Sequence, residues 1–221
     1  MTAPRTFSQR PYVGPPGSTE LLLVRHGASA DSVEGESFEL VEGQGDPPLS
    51  EVGRHQAELV ARSLAREPID GMYVSSLRRT AETAAPLVGR TGISPVVDPD
   101  LREVFLGEWE GGLLRQKAVD GDPMFDQVLR EQRWDVVPRA ESRALFGGRL
   151  RRSIERIAAA HPGGMVVVFS HGAAIGEILA QASGSTPFAF INSDNTGVTR
   201  IVVTPERWIV RGYNDTAHLR D

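Results

Sequence analysis

The sequence predicts an α/β protein of three layers, a mainly parallel central sheet covered by helices on both faces, with one antiparallel edge strand and a helical insertion. Three observations carry this. Two short continuous apolar runs, Leu21-Leu22-Leu23-Val24 and Met165-Val166-Val167-Val168-Phe169, read as strands buried on both faces, which is the pattern of a parallel sheet. Stretches of helical period alternate with such runs, as crossover connections between parallel strands require. Near the end, 198–204 and 208–213 are β-rich and separated by Pro205-Glu206, a hairpin signal.

Taken in order, residues 1–18 (MTAPRTFSQRPYVGPPGS) are rich in Pro and Gly and lack the apolar core of a secretory signal. They read as an N-terminal arm. No linker follows, so 19–221 is expected to be one domain. Residues 28–48 are acidic and small with two prolines, a loop over the strand ends rather than an element. Ser50 caps the next helix, with Glu51 in its positively polarised first turn. Val52, Leu59, Val60, Ser63 and Leu64 mark its stripe, and Pro68 ends it. A short strand over 69–75 leads to a helix opening at Ser76-Leu77-Arg78-Arg79 and running to about Val88. Pro95-Val96-Val97-Asp98 is a further short strand. About 105–140, rich in aromatic and charged residues, breaks the alternation and reads as a mostly helical insertion. A long helix starts near Glu141 with Leu145, Phe146, Leu150, Ile154 and Ile157 on one stripe. After the 165–170 strand, a helix runs from Gly172 to about Ala182 and stops near Gly184.

Composition narrows the function. A net charge of −5 argues against a nucleic-acid or anionic-membrane surface. The absence of cysteine excludes disulfides, thiolate nucleophiles and Cys-ligated metals. No apolar stretch approaches the roughly 20 residues that span a bilayer. A cytoplasmic enzyme is the expectation.

The chemistry collects where strands end. The first strand stops abruptly on Arg25-His26-Gly27, and 145 positions after His26 the 165–170 strand delivers Ser170-His171-Gly172. In open α/β sheets the carboxyl ends of strands are where ligands bind. Ser75-Ser76-Leu77-Arg78-Arg79, with Thr83-Ala84, follows a strand to the same rim, and Leu101-Arg102-Glu103 lies beside it. Two arginines, two histidines and a carboxylate make a pocket suited to a dianionic phosphate, because guanidinium forks bind oxygens in pairs. The helix start after His171 offers backbone N–H groups as well. A histidine among arginines is held neutral by like charge, and neutral imidazole is a nucleophile. Arg78 and Arg102 read as rim residues, His55, His161 and His218 as outside the chemistry, and Trp109 as packing for the acid loop.

Arg25-His26-Gly27, Arg79-x-x-x-Thr83-Ala84, Leu101-Arg102-Glu103 with Gly107-Glu108-Trp109-Glu110-Gly111, and Ser170-His171-Gly172, in this order, resemble the histidine phosphatase superfamily of phosphoglycerate-mutase-like fold. Asp46-Pro47-Pro48-Leu49-Ser50 with Gly53 and Gln56-Ala57, and the tail Asn214-Asp215-Thr216-Ala217-His218-Leu219, resemble its phosphatase branch. The likeness spans about residues 20 to 219. It implies that His26 is the nucleophile that becomes phosphorylated. Arg25, Arg79 and His171 would hold the phosphoryl oxygens, with Ser29, Ser32 and Gly172 adding contacts. Glu103 would protonate the leaving alkoxide and then activate water. Ala28 stands where relatives often carry Glu or Gln, and Ser32 where Asn is common. Mutases of the family carry Arg-His-Gly-Glu-Ser followed by Trp-Asn, which 25–32 lacks, so the resemblance favours hydrolysis of a phosphomonoester over a mutase. A non-catalytic phosphate-binding module is the third reading. The expected partner is a phosphorylated small molecule, with no cofactor, no metal, no nucleic acid and no membrane. Oligomeric state stays open, a homodimer included.

Overall fold

The computed structural model describes residues 6–220; the first five residues of the expected arm and the final Asp221 lie outside it. In chain order the elements are β1 (Thr19–Arg25), β2 (Leu40–Val41), β3 (Gln44–Gly45), α1 (Glu51–Leu64), β4 (Gly71–Val74), α2 (Arg78–Thr91), β5 (Val96–Val97), α3 (Leu113–Val119), α4 (Pro123–Glu131), α5 (Arg143–Ala160), β6 (Met165–Ser170), α6 (Gly172–Ser183), β7 (Val198–Val203) and β8 (Trp208–Asp215). Six strands form one sheet in the order β5-β4-β6-β1-β7-β8. β5, β4, β6 and β1 are parallel, while β7 runs against both its neighbours, so the closing hairpin makes the antiparallel edge.

Side-chain alternation divides the core. Leu21 and Leu23 of β1 and Val166 and Val168 of β6 face α5 and α6, meeting Leu150, Ile154, Ile175 and Ile178. Leu22, Val24, Val167 and Phe169 face the other way, against Val60 and Leu64 of α1 and Leu87 of α2. Burying a Leu, Val or Phe side chain is worth about 1.5–3 kcal/mol, so the two central strands are held from both sides. That fixes the rim at which they end. Since Arg25 pairs in register with Ser170, the next residues, His26 and His171, emerge side by side.

Two helical stripes differ from the expectation. On α1 the buried face is Gly53, Ala57, Val60, Ala61 and Leu64, whereas Val52 is 62% exposed and Ser63 lies outward. Reading only bulky apolar residues misplaced the face, because small residues here allow close backbone approach. A Cβ on Gly53 would sit 1.9 Å from the Ala28 carbonyl oxygen, and one on Gly27 2.5 Å from that of Gly53. On α5, Leu145 is 68% exposed and the stripe begins at Phe146, one position further round the helix.

The insertion packs its own small cluster of Trp109, Val128 and Val137. It is built from turns over Gly107–Gly112 and Trp134–Val136 with α3 and α4 between them. The 28–48 loop carries the minimal β2–β3 hairpin, which leans on the 107–112 turn: Gly45 N–H donates to Glu110 Oε2 at 2.8 Å. Among the described residues no helix is long and apolar enough to cross a membrane.

Candidate active site

The Arg25–Ala28 backbone leaves the sheet with its hydrogen-bonding groups committed. His26 N–H donates to Ser170 O at 3.0 Å, Thr196 N–H to Arg25 O at 2.9 Å, and the Asn195 side-chain amide to His26 O at 2.9 Å. Gly27 N–H donates to Thr83 Oγ1 at 3.0 Å and Ala28 N–H to Gln56 Oε1 at 2.9 Å. Thr83 of α2 and Gln56 of α1 thereby tie both helices to this turn.

His26 is 7% exposed, and its Nδ1 lies 2.7 Å from Gly27 O. A carbonyl can only accept, so in the neutral ring Nδ1 carries the proton and Nε2 keeps its lone pair. Burial pushes the His26 pKa well below 6.5, and the cations Arg79 and Arg25 push the same way against the Gly27 hydrogen bond. His171 is fully buried, its ring edge-on to that of His26 with centroids 5.2 Å apart. It too is driven well below 6.5, by burial first and then by Arg79 and His26. Both rings are therefore neutral near pH 7.

Arg79, at the start of α2, is 8% exposed. Its Nη1 donates to Gly45 O at 3.0 Å and lies 3.7 Å from Asp46 Oδ1. Arg78 beside it points outward and is tied in through its backbone N–H, to Asp46 Oδ1 at 2.9 Å. Arg25 donates from Nη1 to Ser193 O. Burial lowers the pKa of Arg25 and Arg79 below the ordinary arginine value, yet a guanidinium keeps its charge in a protein.

Arg25, His26, Ser29, Arg79 and Glu103 line one cavity of about 180 Å³. Larger clefts of about 470 and 700 Å³ lie at the other end of β1 and contain no histidine. Ser32 packs against Gly112 outside the cavity lining, and Gly172 lies against Arg25. The start of α6 holds Glu103: its carboxylate accepts N–H from Ala173 and Ala174, each at 3.1 Å, and from Val104 at 3.0 Å. Those N–H groups were expected for phosphate and are taken by a carboxylate instead. Arg102 pairs with Glu42 on the rim at 2.5 Å, and Trp109 packs at a tilt against Phe125 in the insertion core while also lining the cavity.

Two charged residues of the lining escape the sequence reading. Arg115 of α3 donates to Ser29 Oγ at 2.6 Å and Ala30 O at 2.7 Å, and its guanidinium lies 5.7 Å from the Phe38 ring centroid. It brings a third guanidinium to the cavity. Nothing in the local pattern marks it, since α3 has no buried residue from which an inward face could be read. Glu110, quoted above only within the Gly107-Glu108-Trp109-Glu110-Gly111 motif, also lines the cavity. Burial raises its pKa, against hydrogen bonds from Leu106 and Gly45.

The lowered histidine pKa values fix a stability slope. In unfolded chain a histidine titrates near 6.5, while His26 and His171 stay unprotonated in the fold to lower pH. Between those limits the unfolded state binds more protons, so stability is fully present above about pH 6.5 and falls as pH drops below it. Each histidine contributes a slope of about 1.4 kcal/mol per pH unit in that window. Denaturant titrations from pH 7.5 to 5.5 are expected to show His26→Asn with a shallower acid decline than the parent, by about one proton. Identical slopes would mean that His26 takes up its proton in the fold over the same pH range as in the unfolded chain.

The sequence model described as histidine phosphatase superfamily, branch 1, matches residues 21–216. A Yersinia enterocolitica protein named probable phosphoglycerate mutase GpmB is 29% identical over 207 residues, covering 90% of this chain and 94% of that one. Among solved structures, one named mycobacterial hydrolase 1 superposes with a TM-score of 0.76 at 28% identity, over 90% of this chain and all of the other. A mycobacterial glucosyl-3-phosphoglycerate phosphatase gives a TM-score of 0.74 at 28% identity, over 90% and 99%.

Proposed function

Because the chain belongs to the histidine phosphatase superfamily, we propose that it is a phosphatase that hydrolyses a small phosphomonoester through a phosphohistidine at His26, without a cofactor. The observation that carries this is the His26 ring: Nδ1 is committed to Gly27 O, which leaves the Nε2 lone pair free beside an arginine-lined cavity. Nε2 attacks phosphorus, and the P–O bond to the alcohol breaks. Arg25 and Arg79 hold the equatorial oxygens, with His171 beside them, and stabilise charge that builds in the transition state. Glu103, protonated on Oε2, which accepts a single backbone N–H where Oε1 accepts two, gives its proton to the departing alkoxide. It then takes a proton from the water that cleaves the P–N bond, releasing phosphate and restoring both residues.

A mutase is the second reading, favoured by the names of relatives such as the Yersinia protein. It differs only in returning the phosphoryl group to the organic product. The test is a panel of sugar phosphates, phosphoglycerates and nucleoside monophosphates assayed for inorganic phosphate. Stoichiometric release from at least one, competitive inhibition by vanadate and indifference to EDTA are expected. Phosphoryl migration on a phosphoglycerate without release would replace the phosphatase by the mutase. A rate lost to EDTA and restored by Mg²⁺ would contradict both.

A further inference from the structure

We infer that Ser75 sets the tautomer of His171, so that the neutral ring presents Nδ1–H as a hydrogen-bond donor to a phosphoryl oxygen. The inference rests on the reading that His171 faces the transferring phosphoryl group. His171 Nε2 lies 2.9 Å from Ser75 Oγ, at the end of β4. Its Nδ1 is buried and, among the described residues, has no hydrogen-bond partner.

Proton counting decides which nitrogen carries the hydrogen. Thr80 Oγ1 lies 2.8 Å from Leu77 O and 3.2 Å from Ser75 O. Carbonyl oxygens only accept, so the Thr80 hydroxyl spends its single proton on them. Ser75 Oγ accepts the Leu77 N–H at 3.2 Å and has one proton to place, on His171 Nε2 at 2.9 Å or on Thr80 Oγ1 at 3.1 Å. If it goes to Nε2, the neutral ring must carry its hydrogen on Nδ1. If it goes to Thr80, Nε2–H donates to Ser75, and Nδ1 meets a phosphoryl oxygen lone pair to lone pair.

A charged ring would donate from both nitrogens, but burial and the nearby Arg79 oppose that state. Ser75 as donor is then the arrangement in which a neutral His171 stabilises an anion. Ser75 is thus a positioning residue, acting on phosphoryl transfer through the histidine.

The test is a long-range ¹H–¹⁵N correlation on protein carrying ¹⁵N-histidine at pH 7, with His171 assigned by loss of its signals in His171→Ala. The wild type is expected to show a protonated, pyrrole-type Nδ1 and a bare, pyridine-type Nε2. Ser75→Ala should mix or invert the two and lower kcat about tenfold with little change in KM, and Ser75→Thr should restore both. A wild-type ring protonated on Nε2 overturns the inference, as does an unchanged tautomer in Ser75→Ala. The wild-type spectrum decides even if a variant fails to fold. Undiminished turnover in folded His171→Ala would instead sink the role of His171 in the proposed reaction, an outcome read independently of the tautomer.

Discussion

His26→Ala is expected to lose phosphate release by at least about 10⁴-fold, the scale set by deleting a nucleophile in other covalent catalysts. The structure makes this a chemical loss. The turn that carries His26 is held through backbone groups, by Ser170, Asn195, Thr83 and Gln56, and none of those bonds needs the imidazole. Arg25, Arg79 and Glu103 keep their own partners. The variant should therefore fold, bind vanadate or phosphate in the cavity, and fail at the chemical step. Circular dichroism, vanadate titration and phosphate release together check this. Retention of more than a few per cent of the rate would assign the nucleophile elsewhere.

Glu103→Gln should separate substrates by their leaving groups. A positioned general acid contributes roughly 10²–10⁴-fold where the departing oxygen needs a proton. An alkyl phosphate releases a strongly basic alkoxide, so phosphoenzyme formation should slow by about that amount. With p-nitrophenyl phosphate the leaving phenolate is stable as an anion, and the loss should be far smaller. The comparison belongs in single-turnover experiments, because in the proposed reaction hydrolysis of the phosphohistidine would use Glu103 again as a base. Equal losses on the two esters would move the acid to Glu110, which lines the same cavity with a pKa raised by burial. Glu108 is a weaker substitute: its side chain is half exposed, is 3.6 Å from Arg139, and does not line the cavity.

Much of this was legible in the sequence because strand order and burial are local signals. Continuous apolar runs marked the two central strands, and each ended on a histidine, so the rim could be located without coordinates. Arg79 was distinguished from Arg78 by its spacing to Thr83, and in the structure Arg79 turns into the cavity while Arg78 does not. What escaped depends on contacts between distant segments. Arg115 reaches Ser29 and Ala30 across some 85 residues, from a short helix whose own residues show no inward face. Glu103 sits on the start of α6, 70 positions away, and no pattern within either segment announces that the helix N–H groups are spoken for. The α1 stripe was misplaced for another reason: glycine and alanine carry little hydrophobic signal, yet they are what lets that helix approach the turn that carries His26.

The central claim is a phosphoryl group on one nitrogen of one residue, and rapid quench addresses it most directly. The enzyme is mixed with a ³²P-labelled ester that it turns over and stopped in alkali after milliseconds, then digested, and the labelled peptide is sequenced by mass spectrometry. The account predicts an acid-labile, base-stable label on the peptide carrying Arg25-His26-Gly27, formed and lost at rates compatible with turnover. Label on any other residue, or turnover with no label at His26 at any quench time, would contradict it.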